Sequence, residues 1–84
     1  MPHWQTVLDR ILHGRADNNI NFGELRGVLA RLGFAERIVG DHHIFTKDDV
    51  KEIINIQPRK DGKAKDYQVK QVRGILKDYG MTTI

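Results

Sequence analysis

Apolar residues recur at helical spacing near the start of the chain. Trp4, Val7, Leu8, Ile11 and Leu12 fall at i, i+3, i+4, i+7 and i+8, one face of an amphipathic helix. Gly14 is placed to stop it. Arg15 to Ile20 is polar around Asp17-Asn18-Asn19, a loop signal. Asn21 then reads as an N-cap, with Glu24 completing a capping box. Phe22, Leu25, Val28, Leu29 and Leu32 follow on one face, and Gly33 suits a left-handed C′ position. A second helix is predicted over residues 22–32.

After Gly33 the period changes from helical to alternating. Phe34, Glu36 and Ile38 alternate with Ala35, Arg37 and Val39; His43 and Phe45 alternate with His42, Ile44 and Thr46. Gly40-Asp41 between them suits a tight hairpin turn in which glycine takes the positive φ. Lys47, Asp48 and Asp49 make a second polar turn. Glu52 to Gln57 reads as a third strand rich in β-branched residues, ended by Pro58. A basic loop follows from Arg59 to Lys65. Asp66 is placed to cap a last helix with Val69, Val72, Ile75, Leu76 and Tyr79 on one face, ended by Gly80. Gly74 inside that helix costs about 1 kcal/mol relative to alanine, and close packing against the sheet is the explanation at hand. The order is α-α-β-β-β-α: an α+β fold, a three-stranded antiparallel sheet with helices on one face and the other face open.

A two-residue turn at Gly40-Asp41 fixes the register. Val39 then opposes His42, Ile38 opposes His43 and Arg37 opposes Ile44, and opposed residues share a face. One face carries Phe34, Ile38, His43 and Phe45. It is the more aromatic and is expected under the helices. The other carries Ala35, Arg37, Val39, His42 and Ile44. His42 is thus expected beside Arg37 on the open face, and His43 toward the core or its rim.

Composition narrows the functions. With 84 residues the chain makes one domain, 1–84, with 1–18 as a helical extension and 20–81 as the core. It contains no cysteine and no serine, which excludes disulfides, cysteine-ligated metals and a serine nucleophile. Phosphate-loop and dinucleotide-binding glycine motifs are absent as well. No apolar run can span a bilayer. Met1-Pro2-His3-Trp4-Gln5 lacks the layout of a secretory signal, so a cytoplasmic location is expected. The net charge of +3 is unevenly spread: residues 1–56 carry −1 and residues 57–84 carry +4. Arg59, Lys60, Lys63 and Lys65 crowd together against Asp61 alone, a cluster suited to phosphates. Its plainer reading is a solvated loop.

Histidine exchanges protons near neutral pH. An exposed histidine on a sheet, with cations nearby, can take the proton of a ribose 2′-hydroxyl, while the cations offset the charge gathering on the phosphate. The plainer reading is a pair of ordinary strand histidines. His42 and His43 leave the strand on opposite faces and cannot share one metal ion, and His3 and His13 are not at a ligand spacing, so no metal or other cofactor is expected. Trp4 at helical spacing reads as core. Tyr67, beside Lys65, is the aromatic residue better placed to touch a ligand.

Leu25 to Gly33, the turn Gly40-Asp41-His42-His43-Ile44-Phe45, and the run from Tyr67 to Gly80 together resemble the HicA toxins, small mRNA interferases of type II toxin–antitoxin systems. The resemblance covers about residues 20–81, and its sharpest element is the glycine-x-histidine turn into a strand. It implies a fold like the double-stranded-RNA-binding domain and metal-independent cleavage of mRNA. It maps the motif histidine to His42, with His43 second. It also implies a HicB-like antitoxin as partner. The chain departs from the family pattern at Asp41, where serine is usual, which sets a negative charge beside the proposed base. The expected site is therefore His42 and His43 for chemistry, presented by Gly40, with Arg37, Lys60, Lys63 and Lys65 on the RNA backbone. A non-catalytic RNA-binding module and a protein-interaction domain using Val39 and Ile44 are the alternatives. Whether the chain forms a homo-oligomer or a toxin–antitoxin heteromer stays open.

Overall fold

The apolar stripes form helices where their spacing places them. The computed structural model describes residues 3–84. Helix α1 spans Trp4–His13 and α2 spans Phe22–Arg31, with a short 3-10 turn at Asp17–Asn19 between them. Strands β1 (Ala35–Val39), β2 (His42–Lys47) and β3 (Val50–Ile56) follow, then helix α3 (Asp66–Asp78). The strands form an antiparallel sheet in the order β1-β2-β3, and the α-α-β-β-β-α order is the expected one. No helix among the described residues is long and apolar enough to cross a membrane.

Helix α1 is built into the core. Val7, Leu8 and Ile11 are at most 1% exposed and join Leu25, Val28 and Leu29 of α2 and Val69, Val72 and Leu76 of α3. Burying those three α1 side chains is worth about 5–9 kcal/mol at roughly 1.5–3 each, comparable to the whole net stability of a small domain. The loop after α1 is clasped to α3: Arg73 donates to Asp17 at 2.8 and 3.1 Å and to the Ile11 carbonyl at 3.1 Å. Gly14, at φ 73°, leaves room for that guanidinium, which lies 2.9 Å from where a Cβ would stand.

Several local expectations are corrected. Asn21 caps α2 by accepting from the Gly23 N–H at 2.8 Å, but Glu24 does not complete a capping box. Its carboxylate instead faces the His3 ring at 3.2 Å and the Arg10 guanidinium at 3.9 Å. Asp66 is the first helical residue of α3, and the cap is Lys65. Gly74 packs against no other element: among the described residues, nothing beyond its own helix backbone and chain neighbours lies within 4 Å of where its Cβ would be. The helical glycine that permits close approach is Gly27, against which the Trp4 ring lies so tightly that a Cβ would sit 2.1 Å from it. Tyr79 leaves the apolar stripe; its hydroxyl donates to Glu52 at 2.7 Å and accepts from the Lys51 N–H at 3.1 Å.

The sheet is two-sided. Phe45, Ile54 and Ile56 are buried under the helices with Phe34 and Val50. Arg37, Val39, His42, Thr46, Ile53 and Asn55 are exposed on the opposite side. Ile38 departs from expectation: it lies on the helix side yet is 54% exposed, although its ladder partner His43 is buried.

Candidate functional site

The hairpin turn sets the geometry of the candidate site. Val39 pairs with His42, Ile38 with His43 and Arg37 with Ile44, so the turn has two residues. Gly40 takes φ 62°, and Asp41 has no positive φ, the pattern of a II′-type hairpin. That register sends His42 and Arg37 to the open face and His43 beneath the sheet.

His42 is reachable, its side chain 46% exposed. Its Nδ1 lies 3.1 Å from the Asn55 side-chain oxygen across the ladder. An amide oxygen only accepts, so this contact is a hydrogen bond when the ring carries a proton on Nδ1. Asp41 Oδ1 stands 3.9 Å from Nε2, beyond hydrogen-bond reach. Asn55 thus sits where it pairs with the tautomer protonated at Nδ1.

His43 has a different environment. Its side chain is 11% exposed, and its Nδ1–H donates to Glu36 Oε2 at 2.7 Å. Its ring stands edge-on to Phe22, with centroids 4.9 Å apart. Glu36 is gripped by the Arg26 guanidinium through two bonds of 2.7 and 3.1 Å. Arg26 above all, and the His43 N–H after it, hold the Glu36 carboxyl below the usual carboxylate range. Glu36 and Arg26 were not singled out in the sequence. The alternation does put Glu36 on the face of Ile38 and His43, which is the one signal that points to it.

The basic loop does not act as one cluster. Arg59 is spent on Asp61, whose carboxyl it lowers to about 2, and also donates to the Asn18 carbonyl at 3.3 Å. The loop is pinned to the start of α2 by Phe22 N–H to the Gly62 carbonyl at 3.0 Å and Ala64 N–H to the Ile20 carbonyl at 2.8 Å. Lys63 lines an open cleft with His3, Trp4, Arg10, Asn21 and Glu24, away from the sheet. Lys65 faces the hairpin: its Nζ donates to Gln57 Oε1 at 3.3 Å, and the Gln57 amide donates to Asp41 at 3.3 Å. Lys60 is exposed, and neither it nor Arg37 forms an ion pair among the described residues. The structure therefore brings together Gly40, Asp41, His42 and, through Gln57, Lys65, with Arg37 on the same face as His42. It takes His43 and Lys63 elsewhere. Asn55 and Gln57, which hold His42 and Asp41, were not found in the sequence, because a residue's cross-strand partner depends on a register fixed elsewhere.

Comparison of the chain with models of known protein families, with curated proteins and with solved structures finds no match. The likeness to HicA toxins rests on the motif residues alone.

Proposed function

We propose that this chain is a metal-independent endoribonuclease of the HicA toxin kind, acting on mRNA with His42 as acid/base. The observation that carries the proposal is the exposed His42 ring, its Nδ1 3.1 Å from the Asn55 side-chain oxygen and its Nε2 outside any hydrogen bond among the described residues, with the Asp41 carboxylate 3.9 Å away. In this reading Nε2 takes the proton of a ribose 2′-hydroxyl. The 2′-oxygen bonds to the adjacent phosphorus, the bond from phosphorus to O5′ breaks, and the departing O5′ takes up a proton from the histidinium or from water. The products are a 2′,3′-cyclic phosphate and a 5′-hydroxyl. Arg37 and Lys65 offset the charge that builds on the phosphate. A small antitoxin of the HicB kind would silence the site by covering this face.

Tightly controlled expression of wild type and His42→Ala tests the reading in cells. Wild type is expected to arrest growth, with relief on co-expression of a partner encoded beside it, and a folded His42→Ala protein is expected to be harmless. Equal arrest by both proteins, or by neither, contradicts the proposal.

One observation favours a second reading. His43 faces the helices, so among the described residues the open face of the sheet carries a single imidazole, with only the Asp41 carboxylate beside it. The same face would then bind RNA without cutting it. Salt-sensitive RNA affinity with no fragments after long incubation selects that reading.

A further inference from the structure

The tip of the β1–β2 hairpin is exposed. Ile38 is 54% and Val39 53% exposed, so the β1 residues paired with His42 and His43 bury little apolar surface, and in β2 burial begins only at His43. His43 is the buried residue of β2 nearest the turn, and it is held from several sides. In the ladder it lies between Ile38 of β1 and Ile56 of β3. From α2, Phe22 packs against the ring at 4.9 Å between centroids. From β1, Glu36 accepts the Nδ1–H at 2.7 Å. Glu36 is itself fixed from α2 by the two-pronged bond to Arg26, which sets the direction of the carboxylate as well as its distance.

These contacts make a chain from α2 through β1 to β2. Successive side chains of a strand leave on opposite faces. Backbone that is clamped at His43 therefore also aims the neighbouring side chain, His42, at Asn55 and the open face. We propose that Arg26, Glu36 and His43 are positioning residues for His42, and that His43 itself exchanges no proton with substrate. This inference rests on the reading of His42 as the acid/base of RNA cleavage, and it gives His43 a role different from the catalytic one that the sequence suggests.

The test uses the purified full-length chain and a single-stranded RNA, at a temperature where circular dichroism shows each variant folded. Glu36→Ala is expected to lower kcat about 10- to 100-fold, the scale of a small misplacement at a reacting group. KM should move by less than about threefold, because Arg37, Lys60 and Lys65 are untouched. His43→Asn puts an amide N–H where the Nδ1–H stood, so its kcat is expected to stay within about threefold of wild type, whereas His43→Ala falls like Glu36→Ala. Arg26→Lys keeps the charge but loses the fork, and serves as the milder variant if Glu36→Ala fails to fold. NMR of the imidazole groups supplies a readout that needs no cleavage: the contact between His42 and Asn55 is expected in wild type and His43→Asn and lost in Glu36→Ala, or weakened in Arg26→Lys.

A folded Glu36 or Arg26 variant with unchanged kcat or an unchanged His42–Asn55 contact overturns the proposal. So does a His43→Asn protein as impaired as His43→Ala. If wild type cuts no RNA, the cleavage reading fails on its own, and the His42–Asn55 contact across the same variants still decides whether the chain from α2 positions His42.

Discussion

Two helical glycines separate what local propensity asks from what packing requires. A Cβ on Gly27 would stand 2.1 Å from the Trp4 ring, whereas no other element lies within 4 Å of one on Gly74. Gly27→Ala gains about 1 kcal/mol of helix propensity but forces the ring away from α2 and from Arg31, whose guanidinium lies 4.5 Å from its centroid. Overpacking of this kind costs about 1–3 kcal/mol. The substitution is expected to lower stability to urea and, because Trp4 is the single tryptophan, to shift the emission to the red. Gly74→Ala is expected to raise stability by about 0.5–1 kcal/mol with no change in emission. A stabilising Gly27→Ala would mean that the Trp4 contact is not part of the fold. Neither role is readable in the sequence, since both glycines sit inside regular helical patterns. What distinguishes them is the ring that α1 lays across α2.

At the scale of elements, the sheet was legible and its tether to α2 was not. Alternation from Phe34 to Thr46 and the short Gly40-Asp41 turn are local signals, and together they suffice to place Val39 opposite His42. The Arg26–Glu36–His43 chain joins residues on different elements. Each is ordinary in its own stretch, so only the packed structure brings them together. The tether has a pH signature. In the folded chain Glu36 titrates below its ordinary value, chiefly because of Arg26. Its contribution to stability is therefore complete above the unfolded value of about 4.3 and is lost as the pH falls through the lowered folded value. Denaturation of wild type and Glu36→Gln from neutral pH down to about pH 3 should show a gap in stability that narrows as the solution becomes acid. A gap that stays constant over that range contradicts the tether.

At the scale of the whole molecule, charge and architecture divide the surface. The basic third of the sequence suggested one phosphate-binding cluster. Folding instead neutralises Arg59 with Asp61, turns Lys63 toward α1 and leaves Lys65 beside the hairpin turn. Sequence reasoning missed this because the loop folds back to pair Pro58 with Ala64 and is bridged through Lys63 to Asn21 ahead of α2, and neighbours in the chain then face different surfaces. Tyr67, 60% exposed, remains free to meet a ligand. The face that holds His42 and Arg37, with the Lys65–Gln57–Asp41 hydrogen bonds leading to its hairpin turn, is where RNA chemistry is proposed. The most direct measurement is cleavage of single-stranded RNA by the purified chain in excess chelator, beside a folded His42→Ala protein. Fragments ending in 2′,3′-cyclic phosphate, made by wild type with chelator present and reduced at least about 100-fold in the variant, are the expected result. Cleavage that stops with chelator, that proceeds equally without His42, or that never occurs would contradict it.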